Sequence, residues 1–172
     1  QYYFWSDGTM AKNVIWQDRG YGADGAMYVS TWFDVGSDRY YAHYNGGLAK
    51  GRAGIDGKVY YFWSGGQLAR NAMWQGYCYG SDGAMYHGCW FIFEGKQYYA
   101  QNDGAIAKGQ VDVRGTLYYF GSTGQLASNA WVDNHYYGSD GAMATDTWVG
   151  DIWVDGSGNI VPDANNAIMG TS

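Results

Sequence analysis

Charge is scarce in this chain and proline is almost missing. Asp, Glu, Lys and Arg make up 15% of the 172 residues, against about 25% in ordinary domains, so the surface must be aromatic and amide-rich rather than ionic. The formal net charge is −6 and no Lys/Arg cluster occurs. A phosphate-binding protein needs a cationic footprint, which excludes nucleic acid as a partner and disfavours anionic membranes. No segment approaches the roughly 18 consecutive apolar residues of a spanning helix, so no membrane insertion is expected. With 28 glycines and one proline, long helices have little support, and helix is expected only as stray turns. Carboxylates occur in turns and loops, and no Asp/Glu pair stands out at glycosidase spacing. Neither a catalytic group nor a cofactor is expected.

Aromatic residues and glycine are abundant: 18 Tyr, 9 Trp and 6 Phe make 19% of the chain. They are arranged periodically. The segment Gly80-Ser81-Asp82-Gly83-Ala84-Met85 recurs in variant form, with its second glycine at Gly8, Gly25, Gly46, Gly66, Gly83, Gly104, Gly124, Gly141 and Gly158. The spacings run 17, 21, 20, 17, 21, 20, 17 and 17, which marks a tandem repeat with a longer period of 58 residues. Tyr2-Tyr3-Phe4 thus returns as Tyr60-Tyr61-Phe62 and Tyr118-Tyr119-Phe120, Trp32 as Trp90 and Trp148, and Met27 as Met85 and Met143.

Each unit reads as an aromatic pair, a turn with glycine, an apolar residue and a polar exit, the pattern of a β-hairpin. Tyr2 to Phe4 is expected as a first strand, Ser6-Asp7-Gly8 as its turn, and Met10-Ala11 as the start of the return strand. The array is expected to cover residues 1–161 and to end in a capping unit, Ile152 to Val161, followed by a polar tail at 162–172. The chain starts inside a repeat, so it reads as a piece of a larger protein. Asp7, Asp24, Asp82, Asp103 and Asp140 recur in the turns, but the nine-residue glycine-rich calcium repeat is absent; they read as turn formers, and no metal is expected. Tyr3, Tyr61, Tyr119, Met27, Met85 and Met143 are expected in the interior.

Cys78 and Cys89 fall in one unit and are replaced together by Gly20 and Thr31, then by Tyr136 and Thr147. Two readings stand, a disulfide between them or two free thiols. His87 lies two residues from Cys89, but no third orienting group accompanies it, so a nucleophile is not expected there.

The units Tyr60-Tyr61-Phe62-Trp63-Ser64-Gly65-Gly66-Gln67-Leu68-Ala69 and Tyr137-Gly138-Ser139-Asp140-Gly141-Ala142-Met143-Ala144-Thr145 resemble the cell-wall-binding repeats of Gram-positive surface proteins. These include choline-binding and glucan-binding modules and the C-terminal repeats of large clostridial toxins. The resemblance implies an all-β β-solenoid of about nine stacked hairpins, three per 58-residue superhelical turn. It further implies ligand grooves between consecutive hairpins, pairing Trp16 with Tyr21, Trp32 with Tyr40, Trp74 with Tyr79, Trp90 with Tyr98, Trp131 with Tyr137, and Trp148 with Trp153. Choline-binding repeats add a third aromatic wall just before the Tyr pair, where this chain has Gln1, Arg39, Val59, Gln97 and Leu117. That departure favours a neutral carbohydrate.

The function so implied is a non-catalytic module that attaches a secreted bacterial protein to cell-wall polysaccharide or another glycan. One alternative is a choline-binding anchor on choline-bearing teichoic acid. The other is a cell-surface adhesin that binds a host protein through exposed hairpin tips at Trp5, Trp63, His43 and Tyr44; Gly121 breaks the Trp5 and Trp63 series.

Overall fold

The computed structural model describes residues 1–162; the expected tail, apart from Pro162, lies outside the described residues. The chain divides into two compact units, Gln1–Tyr86 and His87–Ser172. Both are built of short antiparallel strands, and no helix occurs among the described residues. The first unit carries β1 (Val14–Trp16), β2 (Arg19–Tyr21), β3 (Thr31–Val35), β4 (Asp38–Ala42), β5 (Gly51–Ile55), β6 (Lys58–Phe62), β7 (Ala72–Trp74) and β8 (Tyr77–Tyr79). The second carries β9 (Cys89–Phe93), β10 (Lys96–Ala100), β11 (Gly109–Val113), β12 (Thr116–Phe120), β13 (Ala130–Val132), β14 (His135–Tyr137), β15 (Thr147–Val149), β16 (Ile152–Val154) and β17 (Ile160–Val161). Each odd strand pairs with the next to make seven two-stranded sheets, and β15-β16-β17 make one three-stranded sheet. The 58-residue period holds at this level: three-residue strands begin at Val14, Ala72 and Ala130, and five-residue strands at Thr31 and Cys89.

The hairpin turns are not where the Ser-Asp-Gly segments lie. Two-residue loops close the ladders instead: Gln17-Asp18, Asp56-Gly57, Gln75-Gly76, Glu94-Gly95, Arg114-Gly115 and Asp133-Asn134, all with positive φ at both residues. This is the primed geometry whose twist matches that of paired strands. The Ser-Asp-Gly segments close only single bridges, such as Phe4↔Met10, Tyr21↔Met27, Phe62↔Leu68 and Tyr79↔Met85. Consequently Tyr2 to Phe4 is not a strand, although its repeats Tyr60–Phe62 and Tyr118–Phe120 end β6 and β12.

The recurrent aspartates hold these segments in shape. The backbone N–H of Thr9 donates to Asp7 Oδ1 at 2.9 Å, and Ala26, Ala84, Ala105 and Ala142 donate likewise to Asp24, Asp82, Asp103 and Asp140. Such side-chain bonds two residues ahead are the usual device of Asp in turns. The glycine that follows is required for two reasons. Gly83 has φ +81°, and a Cβ there would lie 2.7 Å from Leu68 Cδ2. Gly25 stands in the same way against Met10, Gly66 against Leu48, Gly124 against Ile106, Gly141 against Leu126 and Gly158 against Met143. Within each unit these segments thus rest on the apolar residue of the one before.

Backbone bonds join the stack as well. Within the first unit, Met27, Leu48, Leu68 and Met85 donate their N–H groups to the carbonyls of Gln1, Asp18, Arg39 and Val59; within the second, Leu126 and Met143 donate to Gln97 and Leu117, all at 2.8–2.9 Å. Stacked repeats bound only to near neighbours are the organisation of a solenoid.

Candidate functional site

Strand register decides which rings share a face. Across β3 and β4, Trp32 stands opposite Tyr41 and Phe33 opposite Tyr40, and alternation sends these two pairs to opposite faces. Phe33 and Tyr40 are buried and stacked with centroids 5.5 Å apart, and burial raises the Tyr40 phenol above its ordinary pKa. Trp32 is half-buried, edge-to-face with Tyr41 at 5.2 Å and with Tyr60 at 4.9 Å. In β9 and β10, Trp90 faces Tyr99 at 5.1 Å and Tyr118 at 4.9 Å, while Tyr98 stacks on Phe91 at 5.4 Å. The expected pairings of Trp32 with Tyr40 and of Trp90 with Tyr98 are therefore corrected. Tyr40 and Tyr98 are core; Tyr41, Tyr60 and Phe62 meet Trp32, and Tyr99, Tyr118 and Phe120 meet Trp90.

Trp5 and Trp63 are also placed differently from expectation. Instead of forming exposed tips, both are half-buried and close aromatic cages. Trp5 meets Trp16 at 5.0 Å with planes 71° apart, and Tyr3 meets Trp5 at 5.2 Å and Trp16 at 5.9 Å. Fifty-eight residues on, Trp63 meets Trp74 at 5.5 Å and 76°, and Tyr61 meets both. Each cage has three rings, two of them nearly perpendicular, with Trp16 and Trp74 exposed. Tyr21 and Tyr79 are buried behind Tyr3 and Tyr61, at 6.2 and 5.9 Å. Tyr3 thus contacts both Trp16 and Tyr21, and Tyr61 both Trp74 and Tyr79. The interior assignment of Tyr3, Tyr61, Tyr119, Met27 and Met143 is corrected in the same way: all five are half-buried, while Met85 is buried as expected.

A third cage does not form. Gly121 replaces Trp5 and Trp63, and Val132, not Trp131, stands at the register of Trp16 and Trp74. A one-residue shift moves a strand side chain to the other face. Trp131 accordingly lies against Tyr136 at 5.3 Å, whereas buried Tyr137 lies against Tyr119 at 5.8 Å and its hydroxyl accepts a bond from Gln110 Nε2. The expected pair Trp131 and Tyr137 is separated. Trp148 and Trp153 do meet, directly across β15 and β16 at 5.4 Å. Of the expected tips, Tyr44 is 86% exposed, and His43 is exposed but rests edge-on against Tyr41 at 5.8 Å.

Of the two readings for the cysteine pair, the structure has the second: both thiols are free. Cys78 is buried in β8 opposite Met73, and Cys89 is half-buried at the start of β9 opposite Ala100. Burial pushes the Cys78 thiol up to about 11.

A family profile described as a choline-binding repeat matches residues 125–159. The choline-binding domain of CbpL from Streptococcus pneumoniae is 31% identical over 94% of this chain and 92% of its own length, with a TM-score of 0.75. The chain belongs to the choline-binding repeat family. The modular autolysin LytC from Streptococcus pneumoniae is 28% identical over 94% of this chain, with a TM-score of 0.80. This chain spans 39% of that autolysin. Pneumococcal choline-binding protein F matches at 25% identity over 94% of this chain and 61% of its own, with a TM-score of 0.80. No curated protein sequence matches.

In this choline-binding repeat array the ring beside each Tyr-Trp pair is Trp5 or Trp63, which follows the Tyr pair in sequence rather than preceding it. The signal for the correct ring partners was present in the sequence. The dipeptides Asp56-Gly57, Gln75-Gly76, Glu94-Gly95 and Arg114-Gly115 fix the register of the hairpins they close and hence the faces of the rings on those strands.

Proposed function

We propose that this chain is a non-catalytic anchoring module that holds its parent protein to a Gram-positive cell wall by seating quaternary ammonium groups in aromatic cages. The observation that carries this reading is the pair of three-ring cages, Tyr3-Trp5-Trp16 and Tyr61-Trp63-Trp74. A quaternary ammonium is drawn to the negative faces of aromatic rings, by about 0.5–2 kcal/mol per contact according to desolvation. Several such sites on one chain convert weak single contacts into firm retention on a polymer that repeats the ligand. The parent is then secreted and held at the bacterial surface.

A second reading, a neutral wall glycan stacked on aromatic faces, is favoured by the Trp148 and Trp153 pair, where Trp148 is 38% exposed. LytC has been solved with a synthetic peptidoglycan ligand and choline-binding protein F in the presence of a peptidoglycan analogue.

Retention of the chain on choline resin, insoluble α-glucan and purified choline-bearing wall separates these readings. Retention on resin and wall, released by free choline and lost with Trp16→Ala and Trp74→Ala together, is the expected result. Retention on wall or glucan that sugar competes and choline does not would replace the cation reading with the glycan reading.

A further inference from the structure

We infer that Arg39 is a built-in occupant of the Trp32 groove, closing it to quaternary ammonium groups while the matching Trp90 groove stays open to them. The inference rests on the cation reading above and deepens it by assigning the residue that sets which groove is available.

The Arg39 guanidinium carbon lies 5.8 Å from the centroid of the Trp32 ring, within the range where a cation is held by an aromatic face. Its position is set on two sides. Asp34, its cross-strand partner, accepts from Arg39 Nε at 3.2 Å, and the Arg39 carbonyl accepts the Leu68 N–H at 2.8 Å. The cavity beside this ring, about 280 Å³, is lined by Trp32, Arg39, Lys58, Tyr60 and Asp82. Lys58 Nζ lies 3.4 Å from Asp82 Oδ2. A quaternary ammonium entering here meets two cations, one already on the ring it needs, and must displace Arg39 to reach it. The carboxylates of Asp34 and Asp82 are already engaged by those cations.

The second unit supplies the internal comparison. Fifty-eight residues on, Trp90 and Tyr118 stand for Trp32 and Tyr60 with the same separation, 4.9 Å in both copies, and similar plane angles of 73° and 68°. The polar rim differs: Gln97 replaces Arg39, Ile92 replaces Asp34 and Thr116 replaces Lys58, while Asp140 keeps the place of Asp82. That place is conserved in space as well. The Met143 N–H bonds the Leu117 carbonyl at 2.8 Å, as the Met85 N–H bonds that of Val59 in the first unit. One copy therefore carries a cation seated on its ring and a rim whose charges cancel; the other has no cation at these positions and one carboxylate without the lysine. Among the described residues the cations over rings are Arg39 on Trp32 and Arg52 on Tyr77. Arg114 lines a cavity with Cys89, Trp90, Tyr99 and Val113 rather than with Tyr118.

The test is a count of choline bound per chain, by calorimetric titration with choline chloride at constant ionic strength. Wild type is compared with Arg39→Gln, Arg39→Lys and Gln97→Arg, each checked for native far-ultraviolet dichroism. Arg39→Gln is expected to bind one equivalent more than wild type, Arg39→Lys the same number, and Gln97→Arg one fewer. A gained equivalent cannot come from misfolding. Should Arg39→Gln bind the same number as a wild type that does bind choline, this inference falls and the cation reading stands. Should neither bind choline, both fall.

Discussion

The stacking of a turn glycine on the apolar residue before it can be measured by a matched pair of substitutions. Gly76 and Gly83 have nearly the same φ, +80° and +81°, but a Cβ on Gly76 meets nothing within 4 Å, whereas one on Gly83 lies 2.7–2.8 Å from three carbons of Leu68. An L-residue in this left-handed conformation costs about 1–2 kcal/mol, and forcing a methyl into packed space costs about 1–3 kcal/mol more. Gly76→Ala should therefore lose about 1–2 kcal/mol and Gly83→Ala about 2–5 kcal/mol by these two terms. Urea titration followed by Trp fluorescence reads the difference as a shift of midpoint at unchanged slope. In a Leu68→Ala background the methyl has room, so the extra loss at Gly83 should vanish and the cycle should show a coupling of about 1–3 kcal/mol. If Gly83→Ala is within about 0.5 kcal/mol of Gly76→Ala, the resolution such comparisons allow, the glycine is there for its dihedral alone and the stacking argument is wrong.

Two further outcomes follow from titrating groups. The N–H bond from Ala84, followed by the Lys58 side chain, holds the Asp82 carboxyl below its ordinary 3.8, and bonds from Thr9 and Asn159 lower Asp7 and Asp155 in the same way. As pH falls the unfolded chain takes up protons first, so this stability is complete above the unfolded value and lost as pH falls through the lowered folded values. The melting temperature should hold at mildly acidic pH and drop below about pH 4, where free carboxylates titrate, with a shallower drop in Asp82→Asn. For the thiols, Cys78 at about 11 stays protonated at pH 8 and buried, while Cys89 is only half-buried. A disulfide-exchange reagent should modify one thiol in the native chain and two in guanidinium without reductant; none in guanidinium would restore the disulfide.

The period, the trio of hairpin types and the all-β class were legible because they depend on spacing alone. Trp32, Trp90 and Trp148 keep their spacing whichever face they occupy. The partner rings were not legible in the same way, since Tyr40 and Tyr41 are adjacent and only register tells core from cage. The ladder turns lie at two-residue loops such as Glu94-Gly95 and not at Ser-Asp-Gly, and the resulting register buries Tyr40 and Tyr98. Trp131 shows the other limit: a Trp at nearly the right spacing, one residue early, serves a different face. The roles of Trp5 and Trp63 needed three dimensions, because a bridge such as Phe4↔Met10 folds the turn back over Trp16 and turns an apparent tip into a wall.

The N–H bonds from Met27 to Gln1, Leu48 to Asp18, Leu68 to Arg39 and Met85 to Val59 reach 26 to 30 residues along the chain. A sheet protein of ordinary design joins strands from distant parts of its sequence and folds slowly for that reason. Here each new turn docks on chain made shortly before, so the contact order within a unit is low for an all-β protein. Folding can begin at any hairpin and spread to its neighbours, and a nascent chain can secure one turn as soon as the next 30 residues emerge.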